Sequence, residues 1–420
     1  MKKIKIGIIG YGNRGRLYTS FLKDMLDEVE LIAVCDFRIE NFQDELKKDM
    51  NVQYFYSNTE DFFGANLDLD LVIVASMDQY HYQNTLDCLN HNYNVSLEKP
   101  IAQTLEQVLT LNRIAKEKNL KVIVSYVLRY TLFYREIKKI IDSGEIGNII
   151  NINTTENVAY WHQAHSFVRG NWRNSKETTP MILAKCSHDL DLIYWLMNKT
   201  PKYITSFGNL SYLKKENAPK DSAKYCYDCK LKENCAWNAY KFYLNNRAWL
   251  VPMLGVENPT DEQIDNYIRH GQYGRCVFKC DNNVVDHQIL NVEFEDKATA
   301  SHTMNAFTRY CYRDIKVMGT KGQIEGNFEE KKFKVFDFLD NKERVIDIAK
   351  MTDDFVGHGG GDRIMMKELI HYLKTGEKSF TLTTLEESVV SHVLCYAAED
   401  SRLHHGKVIK LNMEDSNEKE

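Results

Sequence analysis

A glycine-rich loop near the start of the chain constrains the fold more than any other feature. The loop, Gly10-Tyr11-Gly12-Asn13-Arg14-Gly15, follows an apolar run from Ile4 to Ile9 that predicts a buried strand. Apolar residues at helical spacing follow it, from Leu17 to Met25. A second apolar run, Val29 to Cys35, ends at Asp36. A strand, a turn of spaced glycines, a helix and an acid after the next strand together predict a dinucleotide-binding unit.

The glycines and the acid have separate roles in this prediction. Gly10 permits the tight turn, Gly12 lets the backbone approach a pyrophosphate, and Gly15 lets helix and strand pack closely. Free N–H groups at the start of the helix attract the phosphates, so the intervening residues of the loop belong to the same cofactor site: Tyr11, Asn13 and Arg14. Asp36 is expected to bind the adenosine ribose hydroxyls and to repel a 2′-phosphate, which favours NAD over NADP. Arg38 could accept that phosphate, and the whole motif could also be a structural turn with an incidental acid.

Apolar runs and helical spacings alternate as far as about residue 125. Further strands are predicted at 69–76, 93–97 and 121–126. Alternation of this kind implies a parallel sheet with helices on both faces. We therefore predict an α/β chain in which residues 1–125 form a doubly wound, NAD-binding Rossmann domain.

Beyond residue 126 the pattern changes to consecutive hairpins. Paired strands are predicted at 290–294 with 298–304, 315–318 with 323–326, and 333–338 with 344–348. Helices are predicted at 133–142, 187–197, 362–374 and 385–400, the last with a capping box of Thr384 and Glu387. We predict that residues 126–413 form an α+β domain with a largely antiparallel open sheet, for substrate binding and oligomerisation. It carries a cysteine-rich insertion near 220–285, and a charged tail at 414–420 is expected to fray.

Composition and charge exclude several classes of function. Lys plus Arg is 54 and Asp plus Glu is 59, so the net charge is −5 and no general basic field for nucleic acid exists. No apolar run reaches the ~18 residues that span a bilayer. The start, Met1-Lys2-Lys3-Ile4-Lys5, places charge in the first apolar run and predicts a strand, not a signal peptide. We expect a cytoplasmic protein with no nucleic-acid and no membrane partner, whose ten cysteines are reduced.

The tripeptide Glu98-Lys99-Pro100 closes the predicted strand at 93–97. A charged pair at the end of a buried strand needs a reason, and the carboxyl ends of parallel strands face the ligand crevice. We therefore expect Lys99 to point toward the nicotinamide. The alternative is an ordinary solvated strand end.

Together these motifs resemble those of the Gfo/Idh/MocA family of oxidoreductases. Four further stretches are similar to family motifs: Ala75-Ser76-Met77-Asp78-Gln79-Tyr80-His81, Arg129-Tyr130, Ile141-Asp142-Ser143-Gly144-Glu145-Ile146-Gly147, and His188-Asp189-Leu190-Asp191. The resemblance implies a two-domain fold, NAD or NADP, and sugar or cyclitol substrates. It also implies a homo-oligomer, dimer or tetramer, associated through the outer face of the second sheet. It adds further residues to the cofactor site: Ala75, Ser76, His81, Glu98 and Lys99.

One position departs from the family pattern. Many family dehydrogenases place an Asp four residues before the helix His, but this chain has Ala184, followed by Lys185. The usual carboxylate–histidine arrangement is therefore missing. Asn13-Arg14-Gly15 and His358-Gly359-Gly360-Gly361-Asp362 are more similar to the branch that includes NAD-dependent glycosidases.

Hydride transfer from a secondary alcohol needs a base for the hydroxyl proton and a cation for the developing alkoxide. We assign His188 as the base and Lys99 as the cation, although a desolvated lysine could reverse these roles. Lys185 can act only as a donor. Asp191 lies one helical turn after His188 and is expected to orient it or to bind a substrate hydroxyl. A helix-cap or core histidine is the alternative for His188.

The segment from Tyr160 to Arg173 is dense in aromatic, histidine and arginine residues. Sugars bind on aromatic faces while polar side chains contact their hydroxyls. We assign substrate binding to these residues, of which the two arginines could hold an anionic group: Tyr160, Trp161, His162, His165, Arg169, Trp172 and Arg173. His358, before three glycines, is added as a ligand-facing residue. A domain-packing loop is the alternative for the segment, a metal pair is conceivable for His162 and His165, and a solvated turn is the alternative for His358.

Cysteines cluster in the insertion at a spacing that suits a metal. Cys226, Cys229 and Cys235 lie in polar surroundings, and a fourth thiolate could come from Cys276 or Cys280. Four thiolates, with Cys276 as the fourth ligand, would hold a structural zinc and brace an irregular segment. Free thiols, a disulfide or an iron–sulfur cluster are the alternatives.

We therefore predict an NAD-dependent oxidoreductase that transfers a hydride between nicotinamide and a ring hydroxyl of a sugar, glycoside or cyclitol. The second hypothesis is a glycosidase that uses NAD without net redox, through transient oxidation of the sugar 3-hydroxyl and elimination, with Tyr160, His162 or His165 as the base for the carbon-bound proton. The third is a non-catalytic nucleotide or sugar sensor on the same fold.

Overall fold

The computed structural model describes residues 2–256 and 258–413. The strands of its first sheet are β1 Ile4–Ile9, β2 Val29–Cys35, β3 Tyr54–Tyr56, β4 Leu71–Val74, β5 Asn94–Leu97 and β6 Val122–Val124. The helices that follow them are α1 Asn13–Leu22, α2 Gln43–Met50, α3 Thr59–Gly64, α4 Asp78–Asn90 and α5 Leu105–Glu117. All pairs are parallel, in the order β3-β2-β1-β4-β5-β6. This is the predicted doubly wound sheet, and its order reverses between β1 and β4, where such folds bind ligands.

The second sheet has nine strands. They are β7 Ile149–Asn157, β8 Pro201–Asn209, β9 His287–Phe294, β10 Thr299–Asn305, β11 Tyr312–Gly319, β12 Gly322–Asn327, β13 Lys332–Asp337, β14 Lys342–Asp347 and β15 Ile409–Lys410. Their order is β14-β13-β12-β11-β7-β10-β9-β8-β15. The β7–β10 pair is parallel and the other pairs are antiparallel, so the predicted fold class is confirmed.

Helices of the second half lie between and after these strands. They are α6 Leu132–Asp142, α7 Tyr160–His162, α8 Met181–Ala184, α9 Ser187–Met197, α10 Ala239–Asn245, α11 Val251–Leu254, α12 Asp261–Ile268, α13 Val356–Gly359, α14 Gly361–Thr375 and α15 Leu385–Leu403. Buried side chains of α6, α9 and α15 share one core with the inner face of the nine-stranded sheet. On the outer face, Phe207 and Ile289 lie opposite each other and are exposed. Homo-oligomerisation through this face stays a prediction.

The last long helices pack back on the first sheet. Met365, Leu369 and Ile370 of α14 are buried with β1 and α1 side chains, and Leu385 and Val389 of α15 are buried with β4 and β5. The crevice at the carboxyl ends of the parallel strands is therefore bordered by residues from both ends of the chain.

Two local predictions need correction or restriction. Thr384 does precede α15, but its side chain makes no capping hydrogen bond. Glu387 instead pairs with Lys378, at 2.5 Å, so the predicted capping box is wrong. The predicted tail at 414–420 lies outside the described residues. No helix in the described part of the chain is long and apolar enough to cross a bilayer.

Candidate active site

The glycine loop connects β1 to α1 at the centre of the parallel sheet. Gly10 has a φ of +93°, and a Cβ there would lie 2.5 Å from the Ser76 backbone nitrogen. A Cβ on Gly15 would lie 2.2 Å from the Gly10 carbonyl oxygen. A Cβ on Gly12 would meet no atom within 4 Å, so the first turn of α1 faces open space there. This open space beside free helix N–H groups fits the diphosphate of a dinucleotide.

The different surroundings of Gly12 and Gly15 predict different effects of one added methyl group. We expect Gly12→Ala to fold like the parent but to bind NAD about tenfold more weakly or worse, because its Cβ enters the space for the diphosphate. Gly15→Ala forces the Gly10 carbonyl away, and we expect it to lower the free energy of unfolding by about 1–3 kcal/mol. Calorimetric NAD titration measures the NAD affinity of both variants, and urea unfolding measures their free energies of unfolding. Equal NAD affinity of Gly12→Ala and the parent would contradict the placement of the diphosphate beside Gly12.

Asp36 follows β2 and is buried beside the glycine loop. Its Oδ2 accepts the Tyr11 backbone N–H at 2.7 Å, and its Oδ1 accepts the Arg38 backbone N–H at 2.8 Å. The Arg38 side chain donates from Nη1 to the Pro252 carbonyl oxygen at 3.0 Å. Arg38 thus lies between the cysteine-rich insertion and Asp36, with its Nε 3.8 Å from Asp36 Oδ1. The site therefore holds both a carboxylate for ribose hydroxyls and a guanidinium for a 2′-phosphate, and the preference for NAD over NADP stays a prediction.

Glu98 and Lys99 follow β5 at the edge of the crevice. Arg14 of the glycine loop donates from Nε to Glu98 Oε1 at 2.6 Å, and the Tyr18 hydroxyl donates to the same oxygen. The Lys99 ammonium donates to the Ala184 carbonyl oxygen at 2.8 Å, which brings it against the segment just before α9. Burial lowers the pKa of Lys99, against the opposing effect of Asp78 and Glu98.

Ala75, Ser76 and His81 border the crevice after β4. Both ring nitrogens of His81 contact backbone oxygens, Nδ1 that of Pro100 at 2.6 Å and Nε2 that of Ser76 at 2.9 Å. The Ser76 hydroxyl accepts the Asn84 amide at 3.0 Å. His81 therefore braces the ends of β4 and β5, and any effect it has on a cofactor acts through their backbone.

His188 lies in the first turn of α9, where it is buried and contacts the rings of Tyr126 and His358. Its Nδ1 has no hydrogen-bond partner among the described residues. Burial lowers the pKa of His188 well below its usual range, and the positive charge of Lys99 adds to this. The ring is therefore neutral, with an unpaired nitrogen beside a lysine from the other half of the chain.

His358 joins the same site from the glycine-rich turn before α14. Its Nδ1 lies 2.9 Å from Asp362 Oδ2, and Arg14 binds the other oxygen of that carboxylate. Arg14 thus connects the glycine loop, Glu98 and the His358–Asp362 pair. The sequence predicts roles for Arg14, Glu98 and His358, but not for Asp362 and Tyr18. Asp362 is the last residue of the His358-Gly359-Gly360-Gly361-Asp362 motif and could have been found there. Nothing in the sequence indicates Tyr18.

Asp191 forms a buried ion pair with Arg129. Its two carboxylate oxygens accept Arg129 Nη2 at 2.6 Å and Nε at 2.7 Å, and Ser391 donates to it at 3.0 Å. Both Arg129 and Asp191 are fully buried. The pair joins the short helical turn that precedes α6 to α9, which gives Asp191 a structural partner. Its catalytic role stays a prediction. Lys185 faces the second sheet, with its Nζ 3.3 Å from Glu156 Oε1.

The predicted substrate segment starts at a backbone turn after β7, forms α7 and continues as a wider π-helical stretch, Gln163–Arg169. Burial and, after it, the positive charge of Lys185 lower the pKa of His162 well below its usual range. The Nδ1 of His162 lies 3.5 Å from the Cys311 sulfur. Tyr160 and Trp161 are half-buried beside it, and Trp161 stacks on Phe242. These side chains remain suitable for a substrate.

The other four residues of that segment make hydrogen bonds to residues elsewhere in the protein. His165 contacts the Tyr243 hydroxyl at 2.8 Å, and burial lowers its pKa to about 3. Arg169, expected to hold an anionic group, donates to the carbonyl oxygens of Arg275 and Trp237 at 2.7 and 2.6 Å. Trp172 and Arg173 bind acids at other positions, Asp78 at 2.9 Å and Asp281 at 2.8 Å. Arg169 and His165 therefore brace the insertion, because their polar groups already have partners there.

The cysteines of the insertion surround Arg169, whose Nη2 lies 3.8 Å from the Cys226 sulfur. In the described ranges, the three donor atoms that lie within 4.8 Å of one another belong to Cys186, Asp189 and His302, and the predicted ligands Cys226, Cys229, Cys235 and Cys276 form no such group. A zinc at these four cysteines stays a prediction, which metal analysis of the purified protein would test.

Two family models match the chain. Residues 4–126 match the model described as the oxidoreductase family, NAD-binding Rossmann fold, and residues 138–409 match the C-terminal alpha/beta domain of the same family. In the solved structures, an oxidoreductase domain protein from Kribbella flavida is similar with a TM-score of 0.73 at 15% identity, over 98% of this chain and 100% of that one. At this identity the likeness shows the fold alone.

Curated relatives differ in how much of this chain they cover. YteT of Bacillus subtilis, named as an oxidoreductase, is 23% identical over 86% of this chain and 88% of its own length. The scyllo-inositol 2-dehydrogenase (NADP(+)) IolW of Bacillus subtilis is 30% identical over 48% of this chain and 54% of its own. A 2,7-anhydro-N-acetylneuraminate hydratase of Mediterraneibacter gnavus is 26% identical over 50% and 53%. The chain thus matches about half the length of the inositol dehydrogenase and of the hydratase.

Proposed function

Because this chain belongs to the Gfo/Idh/MocA family of oxidoreductases, we propose that it transfers a hydride between NAD and a ring hydroxyl of a sugar, glycoside or cyclitol. The observation that carries this proposal is the approach of Lys99 and His188. They come from different halves of the chain, and the Lys99 ammonium is held at the Ala184 carbonyl oxygen just before the helix of His188. The relatives named as inositol dehydrogenases support a cyclic polyol as the substrate class.

The chain's residues divide the chemistry between binding and proton transfer. The glycine loop and Asp36 would hold NAD, which when bound supplies the hydride acceptor. His188, neutral through burial and with Nδ1 unpaired, takes the hydroxyl proton of the substrate. The Lys99 ammonium donates a hydrogen bond to the oxygen as it becomes an alkoxide. In the described residues Lys99 has no carboxylate within ion-pair distance, so its charge is available for that oxygen.

Transient oxidation followed by elimination is the second candidate function. The His358–Asp362 pair beside His188 favours it, because oxidation followed by elimination needs more proton-transfer groups around the reacting ring than hydride transfer alone. Of the bases named for that step, His165 is already bonded to Tyr243, which leaves Tyr160 and His162. The similarity to a protein named as a 2,7-anhydro-N-acetylneuraminate hydratase supports the same alternative.

One experiment separates the two functions. The protein is incubated with NAD and a panel of cyclitols, free sugars and nitrophenyl glycosides, and NADH absorbance and nitrophenol release are recorded together. We expect NADH to accumulate with at least one cyclitol or sugar, in proportion to substrate and without release of nitrophenol. Nitrophenol release without NADH would establish the glycosidase instead. NAD binding with neither product across the panel would overturn both and favour a sensor.

A further inference from the structure

We propose that an aromatic patch beside Tyr160 binds a second pyranose ring of a glycoside substrate. The aromatic patch consists of Tyr212, Trp237, Phe278 and Phe307. The inference rests on the proposed function for the position of the reacting ring, and it assigns to the site an extended substrate in place of a free cyclitol or monosaccharide.

Three separate segments bring these rings together. Tyr212 follows β8, Trp237 and Phe278 belong to the insertion, and Phe307 lies between β10 and β11. The ring centroids of Tyr212 lie 5.4 Å from Trp237, 5.4 Å from Phe278 and 6.0 Å from Phe307. Phe278 is buried beneath them, whereas Tyr212 and Phe307 are each 43% exposed. The patch therefore has a packed base and two rings that project into solvent.

Two polar atoms at the patch have no hydrogen-bond partner in the described structure. The Trp237 indole Nε1 is a buried donor and Asn282 Oδ1 is a buried acceptor, and neither is hydrogen-bonded. Asn282 is anchored next to Tyr212, because its amide donates to the Leu213 carbonyl oxygen at 2.9 Å. Buried polar groups are nearly always paired, so an unpaired donor and acceptor beside aromatic rings indicate a ligand with hydroxyl groups. A pyranose has both the CH face that stacks on an aromatic ring and the hydroxyls that pair such atoms.

The aromatic patch is continuous with the candidate active site. The ring of Tyr160 lies 6.4 Å from that of Trp237, and the Tyr160 backbone N–H donates to the Thr308 carbonyl oxygen, next to Phe307, at 3.0 Å. On the other side, the Cys311 thiol donates to the Val158 carbonyl oxygen at 2.9 Å and reaches His162. Tyr160, two residues before His162 in α7, thus links the patch to the segment assigned to the substrate.

The test measures the affinity that a second sugar ring adds. NAD-loaded protein is titrated in a calorimeter with methyl glycosides of glucose, galactose, mannose, N-acetylglucosamine and N-acetylgalactosamine, and with disaccharides that carry the same non-reducing sugars. For at least one pair we expect the disaccharide to bind about tenfold more tightly, the gain of one stacked ring. Tyr212→Ala and Phe307→Ala should each remove this gain and leave methyl glycoside and NAD affinity unchanged.

A matched control comes from the first sheet. Tyr54 on the edge strand β3 is also 43% exposed, and Tyr54→Ala should keep the full gain. Equal affinity for methyl glycosides and disaccharides, or a gain that survives Tyr212→Ala, would overturn the inference. Loss of self-association in Tyr212→Ala with unchanged sugar affinity would instead assign the patch to a second copy of the chain. If methyl glycosides reduce bound NAD but the second ring adds nothing, this inference fails alone; if no sugar binds or reacts, the proposed function fails with it.

Discussion

The Lys99→Ala variant is expected to bind NAD as the parent does and to lose about 10²–10⁴ in kcat/KM, because a lost acid–base or charge partner typically has this effect. The Lys99 side chain is half-buried at the crevice edge, and among the described residues its ammonium donates to the Ala184 carbonyl oxygen and forms no ion pair that its removal would break. The change should therefore act on the reaction and not on folding. The initial rate of NADH formation with the best substrate of the panel, and calorimetric NAD affinity, measure the two effects separately.

Lys121 provides a matched control for Lys99. Its ammonium also donates to a backbone carbonyl oxygen, that of Tyr372 at 3.0 Å, and burial lowers its pKa too. It lies at the amino end of β6, the end of the sheet away from the crevice. Lys121→Ala should keep the parent's kcat/KM within about twofold, in line with a surface substitution. An equal fall in both variants, or full activity of Lys99→Ala, would refute the role of Lys99.

The second large effect is expected from Asp191→Leu, which leaves the buried Arg129 guanidinium without the carboxylate that it hydrogen-bonds and with Glu387 Oε2, at 3.9 Å, as its remaining acidic neighbour among the described residues. Removing one partner of a buried ion pair typically lowers the free energy of unfolding by about 3–5 kcal/mol. Both side chains are at most 3% exposed, and Arg129 makes two hydrogen bonds to Asp191. Urea unfolding followed by tryptophan fluorescence measures the loss.

The double variant Arg129→Met with Asp191→Leu tests whether the pair acts through stability. Replacing both charges with apolar side chains of similar size removes the unpaired charge, so most of the stability should return. The kcat/KM of the folded double variant should be close to that of the parent. A stable Asp191→Leu protein without activity would support the catalytic role that its position one turn after His188 suggests.

The elements that the sequence predicts well are those with long or strongly patterned apolar runs. β1, β2 and the hairpins of the second sheet lie where alternation or continuous burial indicates them. β3 was not predicted, because three residues from Tyr54 to Tyr56 are too short to show a period. The Thr384–Glu387 spacing fits a capping box, but the Glu387 carboxylate forms an ion pair with Lys378, from a neighbouring turn, instead.

Site residues whose role depends on neighbours in the sequence could be predicted, and those whose role depends on residues far away in the chain could not. The glycine loop and Asp36 act through the turn and strand that contain them, so local pattern is sufficient to predict their placement. Asp191 and Arg169 have partners far away in the chain, Arg129 and the insertion, and no spacing indicates these contacts. The same holds for the aromatic patch, whose members come from three segments that only the folded sheet brings together.

The return of α14 and α15 to the parallel sheet bears on attempts to divide this protein into modules. A fragment that ends near residue 126 would contain every strand of that sheet and the whole glycine loop. It would nevertheless expose to water the apolar surface that Met365, Leu369 and Val389 now cover. Truncation there would yield an aggregation-prone, poorly soluble product. A shortened chain that keeps α14 and α15 would keep the apolar surface of the nucleotide-binding half buried.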